Sequence, residues 1–190
     1  MDPHSQSSGV TGQVGHLSRA KAYAIRPARA VDLDRVVELL QGLQEHLEAS
    51  NPDVWRMKPE ARAQFRGQVT SRLKAQDTCA LVAEHDSDGV VGTIFGRIVA
   101  NKRYSPTRSG IVDQVFVDRC HRRAGVGSRL VVELCCFFCG RGINDLSLRY
   151  VAGNEGAASF WANLGFAPRI ITVGANRKTV EERLAQTRGL

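Results

Sequence analysis

The sequence predicts an α+β fold: one domain built on a mixed, mostly antiparallel sheet flanked by helices. Apolar residues switch between helical spacing and strand alternation in the order β-α-α-β-β-β-α-β-α-β. A doubly wound sheet would instead alternate strictly. The length of 190 residues, with 43% hydrophobic and 24% charged, suits one globular core and leaves little chain for a second. No internal repeat interrupts the pattern.

Residues 1–21 are rich in Ser, Gly, Gln and His without apolar periodicity, and are expected to form a disordered tail. The domain is expected over residues 22–176, opening with a strand at Tyr23-Ala24-Ile25-Arg26. Leu33, Val36, Val37, Leu40, Leu43 and Leu47 then follow helical spacing, with Asp32 placed to cap the start and Asn51-Pro52-Asp53 to end it. A more polar helix follows from Glu60 to Lys74. The period then changes. Cys79 to His85 and Val90 to Ala100 read as strands joined by the turn Asp86-Ser87-Asp88-Gly89, with Gly92 and Gly96 as bulge candidates. After a basic loop, Asn101 to Ser109, comes a strand from Gly110 to Val117 and a helix from Val126 to Cys139, stopped by Gly140. A strand is expected at Asn144 to Val151, a short helix at Glu155 to Leu164 and a last strand at Arg169 to Val173. Residues 177–190 are expected to form a helical extension, centred on Thr179 to Gln186.

No apolar run approaches the ~20 residues of a membrane span. Met1 to Gly15 lacks the cationic and apolar blocks of a secretory signal. Five cysteines, three of them Cys135, Cys136 and Cys139, form no regular disulfide framework, so reduced thiols in the cytoplasm are expected. The formal charge of +7 fits a polyanion, a small phosphorylated ligand or simple solubility. Its placement favours the second. Asp118 to Arg129 holds four arginines against one acid, while no interleaving of basic and aromatic residues marks a nucleic-acid surface.

That basic stretch is strand, glycine-containing loop, then helix N-terminus. Free N–H groups at a helix start attract an anion, and glycines let phosphate approach the main chain. A P-loop would need Gly-Lys-Ser/Thr where Gly127-Ser128 stands. A dinucleotide fold would need a third glycine. Arg122-x-x-Gly125-x-Gly127 instead resembles the Arg/Gln-x-x-Gly-x-Gly/Ala signature of the GNAT acetyltransferase superfamily. A second stretch, Asn154-Glu155-Gly156-Ala157-Ala158-Ser159-Phe160-Trp161-Ala162-Asn163-Leu164-Gly165-Phe166, resembles that family's later motif, Asn-x-x-Ala-x-x-Phe-Tyr-x-x-x-Gly-Phe. The resemblance spans about Tyr23 to Val173.

The resemblance implies a sheet with a V-shaped splay between two central strands, holding acetyl-coenzyme A. Val115, Phe116 and Val117 would line the pantetheine arm. Arg122, Arg123, Ala124, Gly125, Val126, Gly127 and Ser128 would hold pyrophosphate. Asn154 would contact pantetheine, with Phe160 and Trp161 near the thiol. Trp161 departs from the family's usual Tyr, which often protonates the leaving thiolate, and indole cannot act as that acid. Tyr150 is a candidate substitute. With a thiol pKa near ~8.5, protonation of the thiolate is worth only about 2 kcal/mol at pH 7.

The base is the harder requirement, because a lysine-like amine with pKa ~10.4 faces a deficit of roughly 4.6 kcal/mol at pH 7. Asp113 matches the family's acidic position, and simple alternation puts it on the same face as Val115 and Val117. Its alternative reading is a solvated strand residue or an ion pair with a nearby arginine. By resemblance Trp55 and Arg56 border the acceptor site. The Cys-x-x-Cys of Cys136 and Cys139 lacks a second pair for zinc, its apolar setting points to core cysteines, and no metal is expected. His85 reads as a structural or solvated histidine, and His121, next to the glycine loop, as a phosphate contact or a surface histidine.

The resulting expectation is an acetyltransferase moving the acetyl group of acetyl-coenzyme A to a primary amine, of a small molecule or peptide, by direct attack in a ternary complex. A coenzyme-binding interaction domain without turnover is the alternative. Neither nucleic acid nor membrane is an expected partner, and a homodimer is compatible with the sequence.

Overall fold

The computed structural model describes residues 22–188. The expected tail, residues 1–21, and the end of the extension, 189–190, lie outside them. Among the described residues no helix is long and apolar enough to cross a membrane.

Five strands form one sheet in sequence order. They are β1 (Tyr23–Pro27), β2 (Thr78–His85), β3 (Gly89–Ala100), β4 (Arg108–Val117) and β5 (Leu146–Leu148). The first four pair antiparallel, and β5 runs parallel to β4. The helices are α1 (Leu33–Ser50), α2 (Pro52–Trp55), α3 (Pro59–Lys74), α4 (Val126–Cys139), α5 (Glu155–Asn163) and α6 (Arg177–Arg188), with 3₁₀ turns at Ala30–Asp32 and Arg119–His121.

Two apolar layers sandwich the sheet. On one face Val36, Val37, Leu39 and Leu40 of α1 and Phe65 and Val69 of α3 pack on Val82 and Phe95. On the other, Leu130, Val131, Leu134 and Phe138 of α4 pack on Leu81, Ala83, Ile94 and Val112, joined by Trp161 of α5. Neighbours Leu81 and Val82 enter opposite layers, as the two-residue strand period requires. Gly96 and Gly110 let α4 lie close. A Cβ at Gly96 would stand 2.8 Å from both Leu134 Cδ atoms, and one at Gly110 would stand 2.6 Å from Leu146 Cδ2 and 2.9 Å from Phe138.

The period fails in the middle of β4. Phe95 pairs with Gln114 but Gly96 pairs with Val112, which leaves Asp113 as the extra residue of a bulge. The bulge resets the parity of the strand. Val112, Val115 and Val117 all pack on the α4 side, and Phe116 packs on the α1/α3 side. Asp113 therefore does not share the face of Val115 and Val117 that unbroken alternation assigned to it; its carboxylate meets Arg72 of α3.

Other expectations are corrected for related reasons. No strand forms at Arg169 to Val173, which joins no ladder of the described sheet, and Ile170, Ile171 and Val173 stay exposed. Asp32 stands at the N-cap of α1 as expected, but its side chain makes no capping hydrogen bond to that helix. Its carboxylate turns back to accept two hydrogen bonds from Arg26, at 2.7 and 2.9 Å, and one from the Arg29 N–H at 2.7 Å. Cys136 and Cys139 are exposed rather than buried, since α4 turns Leu130, Leu134 and Phe138 to the sheet and these two cysteines away from it.

Candidate coenzyme site

The bulge marks where two strands part. Parallel pairing joins Gly110, Ile111 and Val112 to Leu146, Ser147 and Leu148, and there it stops. β4 continues through Val115, Phe116 and Val117 with no strand on that edge among the described residues, so a cleft opens between it and the chain leaving β5. The resemblance implied a splay between two central strands; the parting here lies between β4 and β5, the edge strand of the described sheet.

The glycine loop lies just past the far end of β4. Arg123 (φ 63°) and Gly125 (φ 78°) both adopt the left-handed conformation, and Gly125 is the N-cap of α4. At Gly125 the positive φ calls for glycine. Turns of this type gather backbone N–H groups into an anion-binding concavity. The first turn of α4 holds no acidic residue and no capping side chain, so its positive end faces outward uncompensated.

Neighbouring side chains brace the loop. Arg122 Nε donates to the Val117 carbonyl at 2.9 Å, and its guanidinium lies over the Phe116 ring, 5.1 Å from the centroid. Arg129 Nη2 donates to the Tyr23 carbonyl at 2.9 Å. Arg35 of α1 donates to Asp118 and, through Nε at 2.9 Å, to the Val90 carbonyl. Gly127 faces Phe160, and a Cβ there would stand 3.4 Å from the ring. Asn154 caps α5, its side-chain oxygen accepting from the Ala157 N–H at 3.0 Å.

Residues 76–168 match the family model of the acetyltransferase (GNAT) domain. This chain carries a GNAT domain. No curated protein matches it closely enough to count as a relative. Solved structures share the fold at low identity. The tetramutant of the BH1408 protein from Bacillus halodurans superposes with a TM-score of 0.72 at 16% identity, covering 80% of this chain and 99% of its own. A transcriptional regulator from Bacillus halodurans C-125 gives 0.63 at 19% identity, over 81% of this chain and 99% of its own. The aminoglycoside N-acetyltransferase AAC(6')-Iy in complex with coenzyme A gives 0.65 at 15%, over 82% and 94%.

The remaining candidates of the GNAT domain take distinct places. Asp113 accepts from Arg72 Nη2 at 3.0 Å and from Arg97 Nε at 3.2 and 3.0 Å, so both its oxygens are engaged. Burial holds the Arg72 guanidinium below its ordinary range, partly offset by Asp113. Trp161 is only 6% exposed and packs edge-on against Phe160 and Phe166, at 4.8 and 5.3 Å between centroids. It is a core residue. Tyr150 is exposed in the segment between β5 and α5. Trp55 is half-buried, its carbonyl accepting from Gln44 at 2.7 Å, and Arg56 is exposed. Sequence reasoning missed Arg35, Arg72 and Arg97, because each meets its carboxylate across elements rather than at a local spacing.

Proposed function

We propose that this GNAT domain binds acetyl-coenzyme A and transfers its acetyl group to a primary amine of a small molecule or peptide. The observation that carries the reading is the parting of β4 and β5 beside an uncompensated helix N-terminus with a left-handed glycine loop. The residues suit the coenzyme. The backbone of Arg122 through Ser128 offers N–H donors and room for pyrophosphate, with space around Gly125 on the Cβ side. The edge of β4 at Val115, Phe116 and Val117 offers backbone groups to the pantetheine amides. Phe160, packed against Gly127, and the free end of Asn154 border that channel. An aminoglycoside N-acetyltransferase with this fold has been solved with coenzyme A, which supports the coenzyme and an amine acceptor here.

The amine would attack the thioester carbonyl directly, with bound geometry supplying most of the advantage. Asp113, at the bulge where the strands part, is the proposed base. To accept a proton it must release a guanidinium, and Arg97, the more exposed partner, is the one that yields. Tyr150 is the proposed proton source for the thiolate, being the exposed phenol after β5. Trp55 and Arg56 are proposed to flank the acceptor.

A second reading has specific support. Asp113 is pinned by two arginines, Trp161 occupies the core, and a transcriptional regulator shares the fold. A domain that binds acetyl-coenzyme A without turning it over would look like this. Calorimetry with acetyl-coenzyme A, followed by a thiol-release screen over aminoglycosides, polyamines, amino acids and peptides, separates the two. Binding with release supports transfer; binding without release from any amine supports the second reading. Gly125→Asp places a carboxylate against the phosphates, and unchanged affinity in that variant would refute the loop assignment.

A further inference from the structure

Away from the cleft, the β2–β3 turn and the 3₁₀ turn Arg119–His121 bring together two histidines and a carboxylate 36 residues apart in the chain. Asp88 Oδ2 lies 3.1 Å from His85 Nδ1 and 3.3 Å from His121 Nε2, and the three ligand atoms all fall within 4.8 Å of one another. We propose that His85, Asp88 and His121 bind a divalent transition metal of the zinc class.

Three observations support the assignment. A tetrahedral zinc with bonds of about 2.0–2.1 Å separates its ligand atoms by about 3.3 Å, close to the spacing of Asp88 from each imidazole. Two imidazoles and one carboxylate are a donor set suited to zinc, and they leave a fourth position open on the side where Asp88 is exposed. Lastly, the outer contacts orient the ligands. Tyr23 Oη lies 3.1 Å from His121 Nδ1, so a proton on Nδ1 donated to the phenol leaves the Nε2 lone pair directed at the site. Ser87 Oγ donates to Asp88 Oδ1 at 3.0 Å and stands 3.1 Å from His85 Nδ1, holding the carboxylate with Oδ2 turned inward.

The rings of Tyr23, His85 and His121 pack on one another with centroids 4.9, 5.0 and 5.8 Å apart, which keeps both imidazoles in place before metal arrives. His121 immediately precedes Arg122. A bound ion would therefore brace the β2–β3 turn against the segment that opens the glycine loop. It has no part in acyl transfer. Its function is structural and independent of the reading given above.

The test uses the full chain with the exposed Cys120, Cys136 and Cys139 replaced by serine, so that thiols do not compete. Chelator-stripped protein is titrated with Zn²⁺ by calorimetry and with Co²⁺ by visible absorption. One equivalent should bind, and the Co²⁺ spectrum should lack a thiolate charge-transfer band. Asp88→Asn and His121→Ala should each weaken binding by at least about tenfold, and Zn²⁺ should raise the melting temperature of the parent but not of the variants. Asp88 lies in an exposed turn, so its variant folds even if the loss of His121 disturbs packing. Equal affinity in Asp88→Asn and the parent, or no binding at all, would overturn the site.

Discussion

Arg72 Nη2 donates to Asp113 Oδ2 at 3.0 Å, tying helix α3 to the one residue of β4 that has no partner on β3. The same guanidinium lies over Phe95, 4.7 Å from the ring centroid, and reaches Gln114. Bulge, helix and strand thus share one cation.

Asp113→Asn leaves Arg72 half-buried beside a weaker acceptor. The variant should lose about 1–3 kcal/mol of stability in urea unfolding. Arg97→Gln, on the exposed side, should lose no more than about 1 kcal/mol. If Asp113 is the base, thiol release in Asp113→Asn falls further with lysine-like amines than with α-amines, which need less help. Equal losses would mean that it acts only by holding the two arginines.

Trp161 tests the acid from the other direction. Trp161→Ala should cost about 3–5 kcal/mol, as for other buried aromatics. Trp161→Tyr restores the residue usual in the family, but places the hydroxyl in the layer between Phe160 and Phe166. Thiol release should not rise. An increase in turnover would show that the side chain reaches the cleft.

Gly110→Ala should destabilise the domain by about 1–3 kcal/mol in equilibrium denaturation. The added methyl meets Leu146 at 2.6 Å and Phe138 at 2.9 Å, where β4 and β5 make their short pairing. Because that pairing sets where the strands part, the affinity for acetyl-coenzyme A should fall as well, measured by calorimetry on the folded fraction.

Asp32 should give an acid-sensitive contribution. Its hydrogen bonds from Arg26 hold the carboxyl below the usual carboxylate range, against an opposing effect of burial. With the folded pKa depressed, the stabilisation is fully present above the unfolded value of about 3.9 and is lost as pH falls below it. Asp32→Asn should be less stable than the parent by about 1–3 kcal/mol at pH 7. The gap should narrow below about pH 4 in urea unfolding followed across pH.

Much of the fold was legible from local patterns. The spacing of Val126, Leu130, Leu134 and Phe138, between Gly125 and Gly140, marked α4 at both ends. The turn residues 86–89 marked the β2–β3 hairpin. The Arg122–Gly127 stretch pointed to the loop, since left-handed backbone and a helix start both demand particular residues. The strand expected at 169–173 was not found: its β-branched residues stay exposed and pair with no strand, since β propensity depends on context more than on the residues themselves.

By itself, then, the sequence determined that one mixed sheet is flanked by helices, with a glycine-containing loop before α4, since these follow from contacts within a few residues. Tertiary structure decided the rest. It inserted Asp113 as a bulge, turned it from the α4 face to Arg72, buried Trp161, exposed Cys136 and Cys139, and set His85 and Asp88 beside His121. Each outcome depends on how distant segments register against one another, and a shift of one residue reverses the face of every side chain that follows.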